Sequence, residues 1–145
     1  MKPLIILLSI LVLTAGSCSK EKKSYRYFEV GFNGDAADWR DSSFVVATAD
    51  RFLINKIMDE LDKPVAGRKI LMGKIISGNG GYNKNASHNF NWRYQEDEWE
   101  LVDLSAEIYD GRPHSDLDLN PDYWLNVMKR FSPWGSYIKR EIIKE

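Results

Sequence analysis

Histidine is scarce in this chain, so the imidazole chemistry available to it can be stated in full. His88 and His114 are the only histidines among the 145 residues. Any imidazole that moves a proton or activates a nucleophile must be one of them. One hypothesis is a small hydrolase in which His88 works with Asp110 or Glu107. No serine lies in a Gly-x-Ser-x-Gly elbow, so the sequence assigns no catalytic residue.

A second group of polar side chains has the composition of a calcium loop. Oxygen-bearing side chains stand at alternate positions of one segment: Asp116, Asp118, Asn120 and Asp122. A hard cation prefers several such oxygens. However, Pro121 stands where the loop needs a glycine, and Val127 stands where it needs a bidentate acid. The alternatives are an irregular, calcium-stabilised structural site and a polar connection that caps a helix.

Five tryptophans could offer flat surfaces to a sugar or peptide, because an indole combines a large apolar area with a polar N–H. Trp92 and Trp124 lie on apolar periodic faces and are expected in the core. The other three are better candidates for the surface. With the polar candidates, the ligand-binding set consists of His88, Glu107, Asp110, Arg112, Trp134, Trp99 and Trp39.

Hydrophobic periodicity predicts the elements that position these side chains. Alternating or continuous apolar residues predict six strands, at 25–32, 43–48, 69–77, 88–95, 99–108 and 137–143. A phase change in the fifth run predicts a β-bulge near Leu101 and Val102. Asp50 is expected to cap one helix, and Asn120 with Pro121 begins a second. This order predicts a single α+β domain with a mainly antiparallel sheet of about six strands and two helices packed on it.

The only cysteine predicts an export route. Cys18 follows Lys2, an apolar run of about ten residues and a small-residue segment, an order typical of a bacterial lipoprotein signal. The run is about half the length that a membrane-spanning helix needs. We therefore expect a signal peptide at 1–17, a lipidated cysteine and tether at 18–24, and one globular domain at 25–145. Ordinary cleavage after the small residues Ala15 and Ser17 would instead release a soluble protein.

The same segment predicts a location in the cell envelope. Ser19, rather than aspartate, follows the cysteine, which favours the outer membrane or the cell surface over the inner membrane. Cleavage removes Lys2 as the only charged residue, so the formal charge changes from −1 to about −2. Such a balance gives no basic surface for nucleic acid. The chain also has no cysteine pair for a disulfide, no Cys/His zinc pattern and no motif that indicates a cofactor.

Several segments together resemble a known family. They lie at 73–78, 82–83, 88–92, 107–113 and 133–136, and include Glu-x-x-Asp-Gly-x-Pro and Pro-Trp-x-Ser. In these segments the chain resembles the N-terminal domain family named after a calmodulin-binding protein of slime moulds, which also occurs in bacterial secreted proteins and lipoproteins. The likeness covers roughly residues 25–143 and implies a fold without an established activity.

Two features of the family need separate treatment here. Calmodulin binding is not expected, because the helix predicted after Asp50 carries three further acids, Asp59, Glu60 and Asp62, and is not a basic amphipathic helix. Relatives often place cysteines where this chain has Tyr109 and Ser132, so any bridge between those positions in relatives is absent from this chain.

These observations together favour a lipid-anchored, extracytoplasmic binding or interaction module. Its membrane contact is expected through lipid on Cys18, and its ligand is expected to be a glycan, a peptide or an envelope protein. The small hydrolase and the calcium-stabilised structural domain remain the alternatives from the sequence.

Overall fold

The computed structural model describes residues 21–143, so the signal peptide, Cys18 and the first tether residues lie outside the described part. Eight strands occur in this part: β1 (Arg26–Phe32), β2 (Ser43–Thr48), β3 (Ile70–Ser77), β4 (Lys84–Asn85), β5 (His88–Asn89), β6 (Trp92–Val102), β7 (Arg130–Phe131) and β8 (Ser136–Ile142). One α-helix, α1 (Arg51–Leu61), follows β2. Within residues 21–143, no helix is both long and apolar enough to cross a bilayer.

All strand pairs are antiparallel, and they form three sheets. The first has the order β2-β1-β8, the second has the order β6-β3-β7, and β4 and β5 form a two-stranded hairpin. The α+β class and the antiparallel pairing predicted from the sequence are thus confirmed. The strands divide among separate small sheets because β3 pairs with β6 and β7, while β1 pairs with β2 and β8.

The elements of the first sheet follow local sequence signals closely. The buried run at β2 has the predicted bounds, and all six of its residues are buried. Asp50 caps α1 as expected, because its side chain accepts hydrogen bonds from the N–H groups of Phe52 and Leu53. Leu53 and Ile57 then face the core from α1. One helical face and two strands therefore bury a common apolar surface.

The predicted bulge exists, but it lies earlier in the chain. Pairing of β3 with β6 passes from Gly73–Trp99 to Ile75–Tyr94, so residues 95–98 of β6 oppose a single residue of β3. Asp97 has a φ of 66° in this segment. The bulge lets one long strand change phase, so β6 replaces two predicted strands. The strand predicted at 99–108 is wrong beyond Val102, where the chain leaves the sheet.

Hydrogen bonds from a distant segment hold the bulge. Asp97 Oδ1 accepts the Ala49 N–H at 2.7 Å and the Thr48 hydroxyl at 2.9 Å. Its Oδ2 accepts from Lys23 Nζ at 2.8 Å. Partial burial raises the pKa of Asp97, but the hydrogen bonds from Lys23, Ala49 and Thr48 outweigh it, so the pKa is lower than usual. The ionised carboxylate therefore links the tether, the end of β2 and β6.

Gly73 faces the bulge and has no room for a side chain. A Cβ there would lie 2.3 Å from Trp99 Cβ and 2.7 Å from Tyr94 Cδ1. We expect Gly73→Ala to lower the free energy of unfolding by about 2 kcal/mol, because the strands must separate. Urea unfolding measures the change. Gly67→Ala is the matched control, since no atom lies within 4 Å of its Cβ. Equal effects of the two substitutions would contradict the packing described here.

An arginine links the end of α1 to the outer strand of the first sheet. Arg68 Nη1 donates to the Ile138 carbonyl at 2.7 Å, and Nη2 donates to the Leu61 carbonyl at 3.1 Å. Nε donates to the Lys63 carbonyl at 3.0 Å. One guanidinium thus satisfies the last carbonyls of a helix and a backbone carbonyl on the free side of β8.

Two short helical segments with wide turns lie between β6 and β7, at Pro113–Asp118 and Tyr123–Met128. Their turns close over five residues: the Leu119 N–H donates to the His114 carbonyl and the Lys129 N–H to the Trp124 carbonyl. Such wide turns are frequent at functional sites. The sequence predicts the second segment, whose start near Pro121 and buried Trp124 are confirmed. It does not predict the first.

Candidate metal centre

The two histidines of the chain meet at one buried carboxylate. His88 Nε2 lies 2.6 Å from Asp118 Oδ2, and His114 Nδ1 lies 3.0 Å from the same oxygen. One donor atom of each residue can be chosen so that all three lie within 4.8 Å of one another. Within residues 21–143, this is the only group of three or more His, Cys, Asp and Glu donors close enough to share an ion. We call these residues the His–Asp–His cluster.

Two separate segments bring the cluster together. His88 begins β5 in the β4–β5 hairpin, whereas His114 and Asp118 belong to the Pro113–Asp118 helix. Helical positions four residues apart lie on one face, so that helix presents both side chains in the same direction. The side chains of His114 and Asp118 are each 7% exposed, while His88 is 22% exposed. The cluster is therefore accessible to solvent mainly past His88.

A backbone hydrogen bond orients the shared carboxylate. The Asn91 N–H donates to Asp118 Oδ1 at 2.8 Å, and Asn91 Nδ2 donates to the Asp118 carbonyl at 3.1 Å. Because Oδ1 is occupied in this way, Oδ2 faces both imidazoles. Hydrogen bonds of this kind fix the direction of a ligand before any ion binds.

Asp41 fixes the helix that carries His114 and Asp118. It is 3% exposed, and its Oδ1 accepts the N–H groups of His114 at 2.7 Å and Ser115 at 2.9 Å. Its Oδ2 accepts the Ser115 hydroxyl. These bonds satisfy the first amides of a helical segment that has no side-chain cap of its own. Asp41 therefore sets the position of His114.

Aromatic side chains form the remaining walls. The His88 ring packs edge-on against Phe90 at 5.0 Å and against the more distant Trp39 at 6.4 Å between ring centres. Trp39 is 52% exposed, as predicted for a surface tryptophan. Beside it, the Arg40 guanidinium and the Arg40 N–H hold the pKa of Asp38 well below its usual range. The mouth of the cluster therefore combines an exposed indole with an ion pair.

The Asp-Gly-x-Pro segment that carries the family resemblance leads directly into His114. Asp110 Oδ1 accepts the Trp134 N–H at 2.9 Å, and the Trp92 indole N–H donates to the Pro113 carbonyl at 2.9 Å. Gly111 has a φ of 151°, and a Cβ there would lie 2.7 Å from the ring of Trp124. These contacts dock the loop on the core and fix where the Pro113–Asp118 helix begins.

Comparison with known families identifies the domain to which these segments belong. The model of the N-terminal domain of the slime-mould calmodulin-binding protein matches residues 24–145, which are 122 of the 145 residues. The chain belongs to this N-terminal domain family. The resemblance that the sequence motifs indicated is thereby confirmed. Comparison with curated proteins finds no match, and neither does comparison with solved structures.

In this member of the family, the ligand-binding candidates from the sequence separate into two groups of contacts. His88 and Trp39 belong to the cluster and its mouth. Asp110 and Trp134 contact each other, and Trp134 is 48% exposed as predicted. Glu107 is exposed in the short turn Glu107–Tyr109 rather than on a strand. The carboxylate that contacts His88 is thus Asp118, not the two acids chosen from the sequence.

Two further candidates from the sequence have different surroundings from those expected. The expectation that Trp99 is exposed is wrong: it is 5% exposed, and its indole N–H donates to the Ala47 carbonyl at 2.9 Å. Burial follows from the bulge, which turns Trp99 inward. Arg112 contributes its backbone N–H, which donates to Asp116 Oδ2 at 2.6 Å.

The oxygen side chains of the calcium hypothesis have different neighbours. Asp116 accepts from the Arg112 N–H, while Asp118 faces the two histidines. Asn120 Nδ2 donates to the Asp116 carbonyl at 3.0 Å, and Asp122 is exposed. Among the described residues, only Asp118 of these four joins a group of converging donors.

The donor set of the His–Asp–His cluster suits a first-row transition metal. Two imidazole nitrogens and a carboxylate oxygen are typical zinc ligands, whereas calcium prefers oxygen alone. Zinc bonds of about 2.0–2.2 Å place tetrahedral ligands about 3.3 Å apart. The cluster atoms lie within 4.8 Å of one another. Side-chain rotations on the order of 1 Å therefore suffice to enclose an ion.

Proposed function

We propose that this domain is a lipid-anchored envelope module that binds a divalent transition metal, zinc by preference, through His88, His114 and Asp118. The observation that carries the proposal is the convergence of the chain's only two histidines on one buried carboxylate. The histidines come from a hairpin and from a helix that are far apart in sequence. Packing of these two elements does not by itself require an imidazole from each.

A metal also suits the charge balance of the cluster. The carboxylate of Asp118 is nearly buried, and burial of an ionised carboxylate is costly without a cation. A zinc ion supplies that charge and uses one lone pair from each side chain at once. Binding requires neutral imidazoles, so affinity should fall as the pH is lowered and protons compete.

Three protein ligands leave the fourth zinc position for water or an exogenous group, as in zinc sites that react with ligands. That position faces the side of His88, because the other two side chains are more deeply buried. Trp39 lies at this mouth and offers an exposed indole face. We propose that the envelope ligand, a glycan or peptide, binds here through the metal and the indole together.

The location in the envelope rests on the sequence of the export segment. Cys18, the preceding apolar run and the polar residues after it support a lipid anchor. Mass spectrometry of the processed protein tests this part: an acylated N-terminal Cys18 is expected. Cys18→Ser should release the protein from the membrane fraction, and an unchanged membrane fraction would contradict the anchor.

Metal binding is tested by calorimetric titration of the purified, processed protein with Zn²⁺ after treatment with a chelator. One site per chain is expected. The substitutions His88→Ala, His114→Ala and Asp118→Asn should each lower the affinity by roughly 10- to 100-fold, because each removes a ligand. Co²⁺ should give the visible absorption of a tetrahedral site in the wild-type protein.

The matched control is Asp122→Asn, which removes an exposed carboxylate that lies only four positions after Asp118 in sequence. It should leave affinity unchanged. Circular dichroism establishes that each variant is folded. Zinc affinity that is the same in wild type and in the three cluster variants would overturn the proposal, as would the absence of binding to folded wild-type protein.

A further inference from the structure

The tether reaches the folded domain beside the start of α1. Lys23 Nζ lies 2.8 Å from Asp97 Oδ2. A cleft of about 550 Å³ separates residues 21–24 from the segment Ala49, Asp50 and Arg51. The side of the molecule next to the tether therefore consists of the bulge of β6 and the first turn of α1.

The length of the tether limits how far this side can lie from the lipid. Lys23 follows Cys18 by five residues. A fully extended chain spans at most about 3.3–3.6 Å per residue, so Lys23 lies within about 18 Å of Cys18. Acyl chains on Cys18 hold that residue at the surface of the bilayer. The start of α1 must then remain close to the headgroups.

An apolar side chain stands free on this side. Phe52, in the first turn of α1, is 70% exposed. The Lys56 ammonium lies 4.6 Å from the centre of its ring, so the aromatic face carries a cation. An exposed aromatic with adjacent cations is typical of side chains that enter a membrane interface.

The charges on this side also favour an anionic surface. The nearby acids are engaged: Asp50 caps α1 and Asp97 pairs with Lys23. Arg51 and Lys22 are exposed and have no ion-pair partner within the described residues. Glu21 is the exposed acid that opposes them. The surplus is therefore positive around Phe52.

We propose that this side of the domain rests on an anionic phospholipid bilayer, with Phe52 in the interface and the nearby cations at the headgroups. We call it the Phe52 face: Lys22, Arg51, Phe52, Asn55 and Lys56. The inference rests on the lipid anchor in the proposed function and is independent of the metal. It predicts that the anchor alone does not determine orientation, because the face adds its own contact.

The test uses a single fluorescent label on the acylated protein. Cys18 is blocked by lipid, so Asn55→Cys introduces the one free thiol, at an exposed position one turn after Arg51. The control is Asp35→Cys, an exposed position just beyond the opposite end of β1. Seven strand residues separate the two ends of β1, which corresponds to about 20 Å.

Both labelled proteins are reconstituted into phosphatidylcholine vesicles with and without phosphatidylglycerol, and lipid-borne quenchers report the depth of the label. We expect quenching at position 55 to exceed that at position 35 by at least about twofold when phosphatidylglycerol is present. The difference should shrink in high salt and in the Arg51→Glu, Phe52→Ser variant.

Sedimentation with vesicles separates the two levels of the proposal. If the protein sediments with vesicles but both positions are quenched equally, the Phe52 face is wrong and the anchor stands. If quenching at position 55 instead rises with protein density, the face contacts a second copy and the membrane assignment is wrong. If the protein does not sediment with vesicles, the anchor fails and the inference fails with it.

Discussion

Replacing Asp41 with alanine is expected to lower the free energy of unfolding by about 3 kcal/mol and to weaken zinc binding. The substitution removes both carboxylate oxygens that accept hydrogen bonds from His114 and Ser115. Loss of a buried acceptor leaves two amide groups without partners, and each costs about 1–3 kcal/mol. The start of the Pro113–Asp118 helix should then loosen, which displaces His114 from the metal.

Denaturant unfolding and zinc titration measure the two effects together. Asp41→Asn keeps one acceptor oxygen for the backbone amides, so we expect it to cost about 1 kcal/mol and to retain most of the zinc affinity. Asp35→Asn changes an exposed acid and should alter neither quantity. A normal zinc affinity in a folded Asp41→Ala protein would show that Asp41 does not position His114.

The second large effect is a gain in stability from an added disulfide. The Ser132 N–H donates to the Tyr109 carbonyl at 2.6 Å, so the two backbones are adjacent. Paired backbones of this kind have Cα atoms about 5.5 Å apart, within the range for a disulfide. Closing a loop of about 24 residues should add about 3 kcal/mol. Loss of the Ser132 hydroxyl bond to the Leu71 carbonyl takes back about 1 kcal/mol.

The Tyr109→Cys, Ser132→Cys protein should thus unfold about 5–10 °C above the wild type when oxidised. Reduction should remove the gain and leave a protein slightly less stable than the wild type. The two single variants serve as controls, because neither can close the loop. Formation of the bridge without any rise in melting temperature would mean that the loop geometry described here is wrong.

The parts of the fold that the sequence predicts are those determined by neighbours along the chain. The bounds of β2 and the capping of α1 by Asp50 follow from short apolar runs and a local capping signal. The bulge in β6 is different. Its position depends on hydrogen bonds from Asp97 to Thr48 and Ala49, which come from another strand almost fifty positions earlier. No local pattern contains that information.

The site shows the same division. The sequence identifies His88 as a candidate and Asp118 as a possible ion ligand, but it assigns them to different hypotheses. They meet because the β4–β5 hairpin folds against the Pro113–Asp118 helix, an element that periodicity does not predict. The signal that could have joined them is the four-residue spacing of His114 and Asp118. Asp41 and Asn91 act through backbone amides and leave no sequence signal.

Arg68 has a consequence for how many copies can share a membrane. Its guanidinium occupies the Ile138 carbonyl on the outer side of β8, where another chain would otherwise add a strand. Proteins anchored side by side, as proposed here, collide far more often than proteins free in solution. Blocking this edge allows dense packing on the bilayer without polymerisation through backbone pairing.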